Sequence, residues 1–239
     1  MRNYSALLFA SGLAFLLMVI TWQFTIGAAP MLVGEAILQQ AAQELGATNL
    51  VTSVVLGYRG IDTLGEIAIL FTAASATSLV LSSISVRPAK PSTHKVGSGA
   101  LLSSSASLFF PLLLTLGLYI VMHGHLTPGG GFQGGVILAA AFFLPLLAVP
   151  GRGVNHFGLA LVEGFAGAAF IVIGIIALVQ GHAFLQPFLG HGVTGSLLSA
   201  GTLPLLYIAV GLKVGAELSG LLATLAEIGE PRTTGSINK

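Results

Sequence analysis

The chain has no cysteine, a single tryptophan and very little charge: Asp, Glu, Lys and Arg together make up 7% of its 239 residues. Each scarcity excludes something. Without thiols there are no disulfides, no iron–sulfur ligation and no thiolate metal site; a haem held by histidine alone is left open. Soluble domains carry about 25% charged residues, so 7% charged beside 54% hydrophobic marks an integral membrane protein. Nine basic residues against eight acidic ones leave no basic face for nucleic acid. No apolar stretch alternates in the manner of a barrel strand. The spans are therefore helices, because lipid offers no partner to an open backbone. No nucleophile constellation is present, and Ser103, Ser104 and Ser105 suit helix ends and helix contacts. A stand-alone enzyme is not expected.

Apolar runs of span length predict an all-α protein with six transmembrane helices, at about Ser5–Phe24, Leu50–Ser83, Ser103–Met122, Phe132–Val149, Phe157–Gln180 and Leu198–Leu222. The first run is of span length rather than the 7–15 residues of a signal core. Small residues Gly27, Ala28 and Ala29 leave cleavage open. Two basic residues, Arg59 and Lys213, fall inside spans. The other seven (Arg2, Arg87, Lys90, Lys95, Arg152, Arg232 and Lys239) all land on one side of a six-span layout, and residues 25–49, 123–131 and 181–197 contain no lysine or arginine. The positive-inside rule then puts both termini in the cytoplasm. Residues 85–98, with Pro88 and Pro91, read as a cytoplasmic linker between a two-helix front part, 1–84, and a four-helix rear part, 99–222. Residues 223–239 read as a cytoplasmic tail, a short helix and a frayed end. No long internal repeat is evident, although many complete transporters contain one. A component of a larger assembly is expected.

Charge at membrane depth is costly and faces a partner, a cavity or an ion path. In the run Tyr58-Arg59-Gly60-Ile61-Asp62-Thr63-Leu64-Gly65-Glu66, spacings of three and four residues predict Arg59, Asp62 and Glu66 on one helical face, within roughly 60° of arc. Thr52, Thr63 and Thr77 project near that stripe. One reading is a structural clasp, with Arg59 paired inside its own helix. The other is proton or cation transfer: one arginine cannot neutralise two carboxylates, and a desolvated acid can hold or hand on a proton near neutrality. Lys213 and Glu217, four residues apart, repeat the choice between a local ion pair near the cytoplasmic end with a snorkelling lysine and a proton relay. Glu163 stands alone among Gly158, Gly164 and Gly167, which allow close helix approach; it is either wetted at the inner boundary or part of the path. Within the spans two positive charges meet four negative ones, an excess for protons, cations or another subunit to meet.

The string His123-Gly124-His125-Leu126-Thr127-Pro128-Gly129-Gly130-Gly131-Phe132-Gln133-Gly134-Gly135 joins two spans on the outer side. It reads either as a tight hairpin with close packing or as a loop whose backbone groups face an ion. No lysine of a phosphate-binding loop follows it. His123, His125, His182 and His191 fall on the outer side without the spacing of a helical ligand pair, so no metal site is expected. Proton exchange at an outer opening by His123 and His125 stays open.

This thirteen-residue string resembles the signature of the B subunit of Mrp-type multisubunit sodium/proton antiporters, shared by the matching subunit of ion-pumping membrane-bound hydrogenases. The string from Tyr58 to Glu66 is similar to a second element of the same family. That element lies at the C-terminal end of the large A-type antiporter polypeptide or forms a separate small hydrogenase component of the E type. Ile61 stands where the family has phenylalanine. Both elements on one polypeptide depart from the commonest arrangement. The resemblance implies a non-catalytic subunit of a hetero-oligomeric sodium/proton antiporter in the bacterial inner membrane, without a cofactor of its own. It implies large A and D type partners and small C, E, F and G type partners. It makes Arg59, Asp62 and Glu66 ion-path residues and gives Gly129, Gly130 and Gly131 a backbone role. The same strings fit the membrane arm of a hydrogenase-type redox complex or a subunit that bridges other channels.

Overall fold

The computed structural model describes residues 2–23, 32–83, 100–148 and 154–229, and every regular element among them is a helix. They form two compact units, residues 1–39 and 40–239. The first holds α1 (Arg2–Gln23), with a continuous apolar stretch Ala6–Trp22, and the start of α2 (Leu32–Leu45). The second holds the rest of α2, a short α3 (Leu50–Thr52) running into a π-helical stretch (Ser53–Tyr58), and then α4 (Gly60–Ser83), α5 (Ala100–Met122), α6 (Gly131–Ala148), α7 (His156–Val179) and α8 (Leu203–Gly229). Five helices, α4 to α8, are long and apolar enough to cross a membrane. The linker at 85–98 and the end of the tail lie outside the described residues, as do Arg87, Lys90, Lys95, Arg152, Arg232 and Lys239 of the charge argument.

The core of the larger unit is built around α8, which packs on α6, α7 and α4, while α5 packs chiefly on α6. Its span is 61% buried, against 11% for α4. Lipid tails are as apolar as leucine, so helices associate through close packing rather than through the hydrophobic effect, and small residues let backbones approach. Two glycines of α6 do this toward α8: a Cβ on Gly131 falls 2.8 Å from the Tyr207 carbonyl, and one on Gly135 falls 2.9 Å from the Gly211 carbonyl. Leu203, Leu206, Val210 and Val214 of α8 fill the space beside them, with Phe170 of α7 fully buried.

Three local differences from the expected layout have physical causes. The stretch expected as one helix over 50–83 is broken at Arg59, whose backbone (φ −123°, ψ 32°) is not helical. The Arg59 amide donates to the Val54 carbonyl, five residues back, and the Thr63 hydroxyl caps the Val55 carbonyl freed by the break. The sixth span starts at Leu203 rather than Leu198, after Ala200 and Gly201 in the left-handed region, and continues unbroken to Gly229, so no structural break separates span from tail at 222/223. The segment expected as an outer loop at 25–49 contains α2; its Ala41 and Leu45 are buried.

A candidate ion-path site

Two charged clusters occupy the larger unit. The first is the string at the start of α4. Arg59 pairs with Asp62 at 2.5 Å, with the two side chains 70% and 47% exposed. Exposed Glu66 has no ion-pair partner among the described residues. The three residues do not share one helix, because the break precedes Gly60, yet the fold brings them into one groove of about 540 Å³ with Val54, Val55 and Ile69. The expected threonine stripe is dispersed: Thr52 and Thr63 are buried and bonded elsewhere, and the Thr77 hydroxyl donates to the Ala73 carbonyl of its own helix. Glu44 of α2, which spacing did not single out, accepts a hydrogen bond from Tyr58 beside this string.

The second cluster is buried. Lys213 Nζ donates to Glu163 Oε1 of α7 at 3.1 Å and lies 3.2 Å from Glu217 Oε2 one turn along α8. The Lys213 and Glu217 side chains are 9% and 2% exposed, Glu163 22%. Neither Glu217 oxygen takes an aligned hydrogen bond, so the Lys213–Glu217 link is an ion contact rather than a directed bond. Phe71 of α4 places its ring 4.9 Å from the ammonium, where the negative face of the ring attracts the charge. Lys213 stands ten residues into α8, about 15 Å from its start. It is thus near mid-span, bridging two helices, rather than snorkelling at a cytoplasmic end. A cavity of about 320 Å³ beside the acids runs between α4, α7 and α8, lined by Ser75, Ser78, His156, Glu163, Glu217 and Thr224. Lys213 offers one positive charge to two carboxylates, so the cluster can hold one further positive charge.

The glycine-rich string forms the turn between α5 and α6. Gly129 and Gly130 take φ of +145° and +141°, a region side chains disfavour, and a Cβ on Gly130 lies 2.5 Å from the Tyr207 ring. The loop's carbonyls are engaged from the front of the chain. Asn49 Nδ2 donates to Gly124 O at 2.7 Å and Thr127 O at 2.8 Å, and its backbone amide to His125 O at 3.1 Å. Thr48 donates to Leu126 O at 2.8 Å. Thr52 donates to Gly124 O at 2.5 Å and accepts from the Tyr207 hydroxyl at 2.7 Å. Asn49 also caps α3, its Oδ1 accepting from the Val51 amide. Sequence reasoning missed Asn49, Thr48 and Tyr207; an asparagine just before an apolar helical run was the available signal. His125 is completely buried under this turn, its Nε2 3.4 Å from the Ser196 carbonyl, and burial lowers its pKa below the usual histidine value. His123 stacks on Tyr119 with ring centroids 4.1 Å apart. No group of histidines and acids among the described residues could hold a metal ion.

A family model described as a domain related to the MnhB subunit of Na+/H+ antiporters matches residues 101–220. The chain belongs to this antiporter-subunit family. Residues 1–98 match a second model, that of the E-type component of MBH. Among solved structures, a chain of the membrane-bound sulfane sulfur reductase, an archaeal respiratory membrane complex, superposes with a TM-score of 0.77 at 36% identity, covering 94% of this chain and 97% of that one. A chain of the Mrp complex from Dietzia sp. DQ12-45-1b has the same fold, with a TM-score of 0.77 at 24% identity, over 98% of this chain and 26% of that one. A Rhizobium meliloti protein named as the probable A/B component of a K(+)/H(+) antiporter is 28% identical over 179 residues, which span 65% of this chain and 18% of the relative. The chain is thus a multi-pass membrane protein of the cation/proton antiporter-subunit type, and it spans a small part of the longer relatives.

Proposed function

We propose that the chain is a membrane subunit of a multisubunit complex that exchanges a monovalent cation, sodium, for protons. It contributes Arg59, Asp62, Glu66, Glu163, Lys213 and Glu217 to the ion path. Gly129, Gly130 and Gly131 shape the turn that fixes the outer end, beside His123 and His125. The observation that carries this reading is the shortage of resident positive charge: Glu66 has no ion-pair partner among the described residues, and one lysine, Lys213, is shared by two acids beside a cavity. Its partners are large A and D type and small C, E, F and G type subunits, and its place is the cytoplasmic membrane of a prokaryote, the bacterial inner membrane, with both termini in the cytoplasm. The front part, 1–84, and the rear part, 99–222, act as two modules joined by a linker.

The test is transport. In everted vesicles, Glu66→Gln should abolish sodium-dependent proton movement while subunits still co-purify; unchanged transport in an assembled complex would refute the reading. A second parent complex, a redox-driven ion pump, is favoured by the end-to-end match to a chain of the sulfane sulfur reductase. Co-purification in mild detergent separates the two, since redox subunits would accompany the chain in only one of them.

A further inference from the structure

We infer that the cavity between α4, α7 and α8 is a proton site rather than a metal-cation site, loaded from the membrane end where α7 begins. This rests on the ion-transport reading above and assigns the ion to one of its two clusters.

The argument starts from what already sits between the carboxylates. Lys213 Nζ occupies the position a metal ion would take, 3.1 Å from Glu163 and 3.2 Å from Glu217. A monovalent metal ion there would either lie against the ammonium at low dielectric, where like charges repel strongly, or displace it. The Phe71 ring and the Glu163 hydrogen bond hold the ammonium in place. The deficit to be filled is one unit of charge in a space already occupied, and a proton needs no coordination shell. Among the described residues facing the cluster there is no second lysine or arginine. From α4 come Phe71, Ser75 and Ser78; from α7, Glu163 and, at its first residue, His156; from α8, Lys213, Glu217 and Thr224. The sequence of α6, which packs on the far side of α8, contains no titratable residue.

The route follows from the lining. His156 opens α7, and Glu163 lies seven residues further in, about 10 Å along the helix. Ser75, Ser78 and Thr224 line the same cavity, a polar passage roomy enough for bridging water. In the loading step a hydronium ion gives its proton to a Glu217 oxygen: one O–H bond forms, one breaks, and water is left. Lys213 keeps its three protons, and release is the reverse. The groove at Glu66 differs in size and in charge. It holds about 540 Å³, and its free acid has no resident ammonium, so it is where a hydrated metal cation fits.

The measurement is infrared difference spectroscopy on the purified complex, wild type minus Glu217→Gln, titrated with pH and then with sodium chloride against choline chloride. The expected result is a protonated-carboxyl stretch that is lost in the variant, rises as pH falls, and is unmoved by sodium. Loss of that band on adding sodium, or its absence at every pH, would overturn the inference. Should Glu217→Gln prevent assembly, Lys213→Arg keeps the charge; there the band should move along the pH axis and stay blind to sodium, and a sodium response would again overturn it. Failure of the broader reading looks different: transport would be normal in Glu217→Gln and Glu66→Gln complexes alike, whatever the band does.

Discussion

Asp62 and Glu66 lie on a helix whose span is 11% buried, whereas Lys213 and Glu217 lie on one that is 61% buried. Both regions put acids into a membrane protein, but they are completed differently. The α8 cluster carries its own lysine and closes against α7 and α4 within one chain. The α4 groove shows its charges outward, with Arg59 70% exposed. Charged side chains do not face hydrocarbon without a large cost. On the proposed function, the groove would be a surface for other subunits to cover, whereas the α8 cluster is completed by contacts within this chain. An intramembrane acid on a buried helix is to be understood from the chain's own contacts, and one on an exposed helix from its assembly.

The comparison breaks most readily at Lys213. Lys213→Ala leaves two carboxylates facing each other in a buried site, and removing one partner of such a pair costs about 3–5 kcal/mol. The expected outcome is loss of assembled complex, measured as yield and thermal stability in mild detergent. Arg59→Ala, at the exposed groove, should leave the isolated chain's stability within about 1 kcal/mol and lower subunit co-purification instead. Next comes the packing that holds α8 central. Gly135→Val forces a side chain against the Gly211 carbonyl and Val214, and should destabilise by about 1–3 kcal/mol, read as a lower melting temperature. Smaller again is Asn49→Ala. It strips hydrogen bonds from Gly124 and Thr127 carbonyls, at about 1 kcal/mol each where no water replaces them, and should increase hydrogen exchange in the 123–130 turn while leaving the α8 cluster unchanged.

The smallest effect is a pH dependence at His125. Its folded-state pKa is lowered by burial, so the folded protein binds less proton there than the unfolded chain. The stability tied to a neutral ring is complete above the unfolded value of about 6.5 and falls as pH drops below it toward the folded value. Melting temperature should decline over that window in the wild type and decline less in His125→Gln.

Much of the layout was legible because length, hydropathy and charge act locally along the chain. A run of about 20 apolar residues is a span wherever it occurs, and the strings at 58–66 and 123–135 are contiguous. Spacing brought Lys213 and Glu217 together because they are one turn apart on α8. It could not bring Glu163 to them, since that pairing joins residues 50 apart and depends on how α7 packs on α8. The break at Arg59 was hidden for a related reason: the capping of Val55 by Thr63 and the packing of Gly60 on Leu185 override a pattern that continues helically in sequence. The hold of Asn49 and Thr52 on the glycine-rich turn spans more than 70 residues, and polar residues in a loop carry no periodicity to reveal their partners.

The claim that acids on this chain outnumber their resident counter-charges, so that mobile positive ions visit them, is tested most directly by neutralising the whole α8 cluster at once. A complex carrying Glu163→Gln, Lys213→Met and Glu217→Gln leaves no unpaired buried charge, so it should assemble where Lys213→Ala does not. In everted vesicles the predicted result is an assembled complex with no cation-driven proton movement; an assembled complex that exchanges at the wild-type rate would contradict it.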